Sequence, residues 1–95
     1  MRVAKVIGNI WATRKDEKLA GFKLLLLQPI NIVNGAKEGI PIVGADMIGA
    51  GVGETVIVVS GSSARSAAGD MQVPVDAMVV GIVDGKDIDA ELAEE

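Results

Sequence analysis

Five short segments rich in Val, Ile and Leu, each bounded by turn residues, predict an all-β fold: a small five-stranded β-barrel with one short helix. Two compositional observations agree with it. Ninety-five residues are enough for one small domain and too few for separate substrate and cofactor domains. The chain is 49% hydrophobic but holds one Trp, one Phe and no Tyr, so its core must be built from aliphatic side chains.

The first strand is expected over Arg2 to Thr13. Val3, Lys5, Ile7, Asn9 and Trp11 fall on one face and Ala4, Val6, Gly8, Ile10 and Ala12 on the other, with apolar residues on both. Arg14 to Lys18 is a charged, solvated connection. Phe22 to Gln28 is the second strand, and Pro29, which cannot donate a ladder bond, is expected to end it. Its Leu24 to Leu27 run is too short for a helix and fits the inside of a sheet. Ile30 to Gly39, with the turn dipeptides Asn34-Gly35 and Glu38-Gly39, forms a meandering loop.

Ile40 to Ile48 is the third strand, with Pro41 placing its start on an edge. The loop Gly49 to Gly53 leads to the fourth strand, the β-branched run Thr55 to Ser60. Ser62 to Ala68 carries good helix formers between a serine cap and the stop Gly69, predicting one or two helical turns. Ala77 to Val83 is the fifth strand, closed by Asp84-Gly85. Five strands with one helix match Greek-key barrels of the oligonucleotide-binding type. Such barrels usually place the helix between strands three and four, so a helix after strand four is a departure.

The charge is unevenly placed. Lys86 stands against Asp87, Asp89, Glu91, Glu94 and Glu95, which accounts for the whole net charge of −4. Residues 1–85 therefore form a neutral barrel domain and residues 86–95 an acidic C-terminal tail, whose Ile88 and Leu92 spacing predicts a weak, frayed helix. Nucleic-acid binding needs a basic stripe, and this pattern has none.

No Cys and no His are present. That removes thiolate nucleophiles, imidazole acid–base chemistry, disulfides and the usual zinc and haem ligands, so neither metal nor cofactor is expected. No apolar run approaches the roughly 20 residues of a membrane span, and the N-terminus lacks a signal peptide's apolar core. A cytoplasmic protein without a membrane partner is expected.

The most informative stretch is Asp46 to Ala68. Gly49-Ala50-Gly51-Val52-Gly53-Glu54 puts three glycines at alternate positions before a carboxylate. A dinucleotide fingerprint needs its third glycine one residue later and a helix next, and a phosphate loop needs a Gly-Lys-Ser or Gly-Lys-Thr ending. Neither is present. The remaining readings are a simple tight loop, or a loop that another backbone approaches, with Glu54 accepting hydrogen bonds from exposed amides. Ser60-Gly61-Ser62-Ser63 lacks the histidine that a serine nucleophile needs. Helix capping is its expected role, and near a symmetry axis its hydroxyls would make a polar ring. Arg65 is either a surface charge or an interchain partner for a carboxylate such as Asp70 or Asp76. Asp46, Glu54, Asp76 and Asp84 would serve acid–base chemistry only if two of them converged in a cleft. No catalytic residue is assigned, and the chain is not expected to be an enzyme.

Taken together, these residues resemble the EutN/CcmL family, the vertex proteins of bacterial microcompartment shells. The resemblance rests on Arg2-Val3-Ala4-Lys5-Val6-Ile7-Gly8, Lys23-Leu24-Leu25-Leu26, Ile48 to Glu54, Ser60 to Arg65, Pro74-Val75-Asp76-Ala77 and Val80-Gly81-Ile82-Val83-Asp84, in that order. It implies an oligonucleotide-binding-like barrel assembling as a homopentamer at the fivefold points of a shell otherwise tiled by hexameric shell proteins. It further implies that Gly49, Ala50, Gly51, Val52, Gly53 and Glu54 make the subunit contact and that Ser60, Gly61, Ser62 and Ser63 lie near the central pore. The rival on the same fold is a single-stranded nucleic-acid-binding module, which needs stacking aromatics and a basic groove.

Overall fold

The computed structural model describes residues 1–93. Five strands, β1 (Arg2–Ile10), β2 (Lys23–Pro29), β3 (Ile42–Asp46), β4 (Thr55–Ser60) and β5 (Ala77–Ile82), close into a barrel in the order β1-β2-β3-β5-β4. β1 and β2 pair antiparallel, as do β2 and β3, β1 and β4, and β4 and β5. β5 enters between β3 and β4, and its pairing with β3 is parallel, through Ala45 and Met78. A short helix, α1 (Gly61–Ala67), lies between β4 and β5, and a second, α2 (Ala90–Ala93), lies in the tail. The helix is where the sequence places it, after the fourth strand.

Alternation along the strands sorts the barrel into an inside and an outside. Ala4, Val6, Leu25, Leu27, Val56, Val58, Ala77 and Val79 fill the interior together with Ala50 from the glycine loop. On the outer wall Ala45 and Met78 meet Ala64 of α1, with Phe22, Leu24, Val59, Ala68 and Val75 packed around them. This second cluster is what the helix covers. Aliphatic side chains are small enough to fill so narrow an interior, which is why the chain manages with one Phe and one Trp. Register shifts leave Ile7 of β1 and Val80 of β5 as extra residues and bend those two strands as closure requires.

Several element ends differ from expectation. β1 stops at Ile10, whose partner Leu24 lies at the start of β2, so Trp11 has no strand to pair with and is 85% exposed. Pro29 is the last residue of β2 and not the first beyond it: it pairs with Ala4 inside the ladder, and its carbonyl accepts from Glu38 N–H. β3 starts only at Ile42, leaving Ile40 and Pro41 outside, and closure gives it neighbours on both sides. Loop 30–41 is held by Gln28, whose Nε2 donates to the Pro29 and Gly39 carbonyls at 2.9 and 3.1 Å.

Gly44 marks the tightest point of the interior. A Cβ there would stand 2.5 Å from Leu27 Cδ1 and 3.4 Å from the Ala77 carbonyl oxygen. Gly44→Ala is expected to cost about 1–3 kcal/mol by overpacking, read as a lower thermal midpoint by circular dichroism. Gly81→Ala, whose added methyl would meet Ile57 Cδ1 at an ordinary 3.5 Å, should be much milder.

Candidate functional site

The stretch from Asp46 to Glu54 is a loop built around two carboxylates. Asp46 ends β3 and is completely buried. Its Oδ1 accepts from Ile48 N–H at 3.1 Å, and its Oδ2 accepts from Gly49 and Ala50 N–H, each at 2.9 Å. A buried charge is costly unless hydrogen-bonded, and these amides supply the bonds. The arrangement is an Asx turn extended by two residues, with Gly49 at φ +100° reversing the chain. Ala50 thereby lands in the barrel interior, fully buried. Lys23, paired with Asp46 across the β2–β3 ladder, donates from Nζ to the Ala50 carbonyl at 2.7 Å.

The second carboxylate closes the second half. Glu54 Oε1 accepts from Gly51 N–H at 2.7 Å, and Glu54 N–H donates back to the Gly51 carbonyl at 3.1 Å. Gly53, at φ +96°, donates to the Val6 carbonyl, while Val6 N–H reaches the Glu54 carbonyl. Glu54 does accept from a glycine amide, as expected, but that amide belongs to its own chain. Ala50 is buried, Gly51 is half-buried, and Gly49, Val52, Gly53 and Glu54 are exposed.

The serine turn differs from expectation too. α1 begins at Gly61, with Ser60 at the cap position and no side-chain cap bond from it, so neither Ser62 nor Ser63 starts the helix. Gly61, at φ +61°, makes the turn, and its N–H donates to the Asp76 carbonyl at 3.0 Å, tying the turn to the approach of β5. Ser60, Ser62 and Ser63 are exposed around it. Arg65 sits half-buried in the last turn of α1, and Asp70, one of its suggested partners, accepts from Gln72 N–H at 2.8 Å.

The four acidic residues do not share a cleft. Asp46 is buried against its amides, while Glu54, Asp76 and Asp84 are exposed at three different strand ends. Among the described residues there is no group of three metal-ligating side chains.

Residues 1–84 match the family described as ethanolamine utilisation protein EutN/carboxysome. The chain is 44% identical over 84 residues to the carboxysome shell vertex protein CcmL of Synechocystis sp., covering 88% of this chain and 83% of that one. It is 46% identical over 84 residues to the microcompartment shell vertex protein EutN of Salmonella typhimurium, covering 88% and 84%. Among solved structures, the GrpN pentameric microcompartment shell protein from Rhodospirillum rubrum superposes with a TM-score of 0.81 at 42% identity, over 93% of this chain and 99% of that one.

Burial of Ala50 separates the two residue classes in the loop. Ala50→Leu should lower the thermal midpoint, since the added atoms have no room in the barrel and cost about 1–3 kcal/mol. Val52→Leu, two residues on and 58% exposed, should leave the midpoint unchanged. Equal effects in a melt of both variants would mean that the loop does not insert Ala50 into the interior.

Proposed function

The chain belongs to the EutN/CcmL family, and from that premise we propose that it is a structural subunit of a bacterial microcompartment shell, forming the homopentamer that occupies a fivefold vertex. The likeness to the pentameric GrpN shell protein, which spans nearly the whole of both chains, carries the reading. The geometric requirement is simple: a flat lattice of hexameric shell proteins closes only where fivefold points interrupt it. Such a subunit needs two different sides that are complementary to each other and no reaction centre, so no catalytic role is assigned. Carboxysome and ethanolamine-type relatives match this chain at 44% and 46% identity. The barrel thus serves the vertex geometry common to both, in a shell lying within the cytoplasm.

Within the pentamer, Gly49, Gly51, Val52, Gly53 and Glu54 form the contact between neighbouring subunits, while Ala50, expected among them, is buried in the barrel and anchors their loop. Ser60, Gly61, Ser62 and Ser63 line the approach to the fivefold axis, where hydroxyls not used for helix capping are available to solvent. Arg65 faces a carboxylate of the adjoining subunit, and the flanks of the ring meet hexameric shell proteins. Residues 86–95 add no contact that the ring requires.

The single-stranded nucleic-acid reading finds no support. Phe22 is packed in the cluster beneath α1, so Trp11 alone is exposed for stacking, and the body carries no net charge.

Native mass spectrometry of the full chain should give a closed pentamer, with a monomer or dimer at micromolar concentration overturning the vertex assignment. Glu54→Ala, which frees the Gly51 amide and half of the loop, should lower the pentamer fraction on dilution while far-UV circular dichroism stays unchanged. Glu54→Gln, keeping one acceptor oxygen, should be milder. Fluorescence anisotropy with single-stranded DNA at low salt, where phosphate contacts are strongest, should show no micromolar binding. Truncation after Gly85 should leave the pentamer intact by light scattering.

A further inference from the structure

The loop assigned to the subunit contact has almost no backbone left to offer. Of the seven amides from Ile48 to Glu54, those of Ile48, Gly49 and Ala50 donate to Asp46, Gly51 to Glu54, Gly53 to Val6 and Glu54 to Gly51. The Ala50 carbonyl is taken by Lys23 and the Gly51 carbonyl by Glu54. What the loop turns outward is apolar: Met47, Ile48 and Val52 are 62%, 50% and 58% exposed. Three large apolar side chains exposed within eight residues are a concentration of the kind found at contacts. It runs directly into the contact stretch, because Val52 lies inside Gly49 to Glu54 and Met47 and Ile48 precede it.

We propose that this loop docks onto the next copy of the same chain by the side chains of Met47, Ile48 and Val52, and that Asp46 and Lys23 are the positioning residues that hold it ready. The proposal rests on the reading of Gly49 to Glu54 as the subunit contact. Asp46 reaches the neighbour only through the loop. Its two oxygens gather three amides, fix the reversal at Gly49 and sink Ala50, and this leaves Ile48 and Val52 nowhere to point but out. Lys23 fastens the far side of the same turn. A contact pre-formed in the free subunit loses little conformational freedom on assembly, which favours tight rings from a small surface. In a closed heterologous ring every subunit presents the same loop and the same receiving face, so one change is repeated at each contact.

The test separates positioning from plain stability. Four full-length variants are compared by native mass spectrometry on dilution, by thermal melts and by amide hydrogen exchange at Ile48, Gly49 and Ala50. Asp46→Asn leaves one acceptor oxygen for the Ile48, Gly49 and Ala50 donors, so its NH2 group opposes at least one of them in either orientation. It should speed exchange at those amides at least tenfold and raise the concentration for half-assembly at least tenfold. Val56→Ala, a core truncation that removes none of the loop's hydrogen bonds, should lower the melting midpoint comparably yet leave loop exchange and half-assembly near wild type. Val52→Asp should keep the slow loop exchange of the wild type but abolish the ring, with a melting midpoint that falls only to that of the dissociated wild-type subunit. Lys23→Met should fall between Asp46→Asn and wild type. Half-assembly that simply tracks the melting midpoint across Asp46→Asn and Val56→Ala would overturn the positioning role, and an intact ring from Val52→Asp would overturn the apolar contact. If the wild-type chain forms no ring at all, the contact reading itself fails. Exchange at Ile48 to Ala50 on the undocked chain still decides whether Asp46 holds the loop.

Discussion

The buried carboxylate of Asp46 is the constraint on which the rest of the architecture turns. An ionised group at a fully buried position is tolerable only where several donors converge on it, and the chain supplies them from the residues just after β3. That requirement dictates the course of the next turn. Once Ile48, Gly49 and Ala50 curl back to the carboxylate, Ala50 plugs the interior and β4 starts beside β1. The Gly53 and Val6 bonds then begin the β1–β4 seam that closes the barrel. A single residue at the end of one strand thus couples loop shape, core closure and strand pairing. Replacing it leaves three amides without partners, that of Ala50 fully buried, a loss that exceeds the value of any one of the bonds.

The aliphatic interior has a counterpart on the surface. A narrow barrel filled with Val, Leu and Ala leaves other apolar residues on the outer wall, and one short helix covers only the patch around Met78 and Ala45. Val43, Ile40, Ile7, Met47, Ile48 and Val52 remain exposed on a single subunit. Small domains bury a modest fraction of their surface and commonly gain stability by association. Placing such residues on a rigid loop and on the flat sides of a barrel is consistent with a subunit whose native state is a ring.

Legibility in the sequence followed the physics of each segment. β4 was readable to the residue, because Thr55 to Val59 is an unbroken β-branched run between a glycine loop and a Ser-Gly turn. The barrel and the late helix were readable as well, from five such runs and an alanine-rich segment. Strand ends were not, since they depend on partners: β1 stops where β2 begins, and Pro29 closes β2 opposite Ala4, with its carbonyl taken by Glu38 N–H of the following loop. At the loop, the sequence signalled a carboxylate accepting glycine amides and this was correct in kind. It pointed to Glu54, which takes one glycine amide, whereas the larger cluster of amides belongs to Asp46. The available signal was an Asp followed at four residues by a small side chain, with glycine between, which is the pattern of an extended Asx turn. The start of α1 was misplaced because a glycine at positive φ, rather than a serine hydroxyl, makes the entry turn.

Charge placement completes the account. Five copies around one axis bring like surfaces together, and any net charge on the barrel would be multiplied at short range. Residues 1–85 avoid this by balancing eight bases against eight acids. The excess acid is confined to the last ten residues, where Asp87 and Glu91 are exposed, beyond the Lys86 tether to the Ile32 carbonyl. Solubility conferred by net charge is thereby kept on a segment the barrel does not need, while the barrel carries no net charge. Apolar contacts through Met47, Ile48 and Val52 would depend little on ionic strength. The internal use of loop amides has the same effect, since a neighbour then meets side chains of fixed shape and not a backbone competing with water for its own donors.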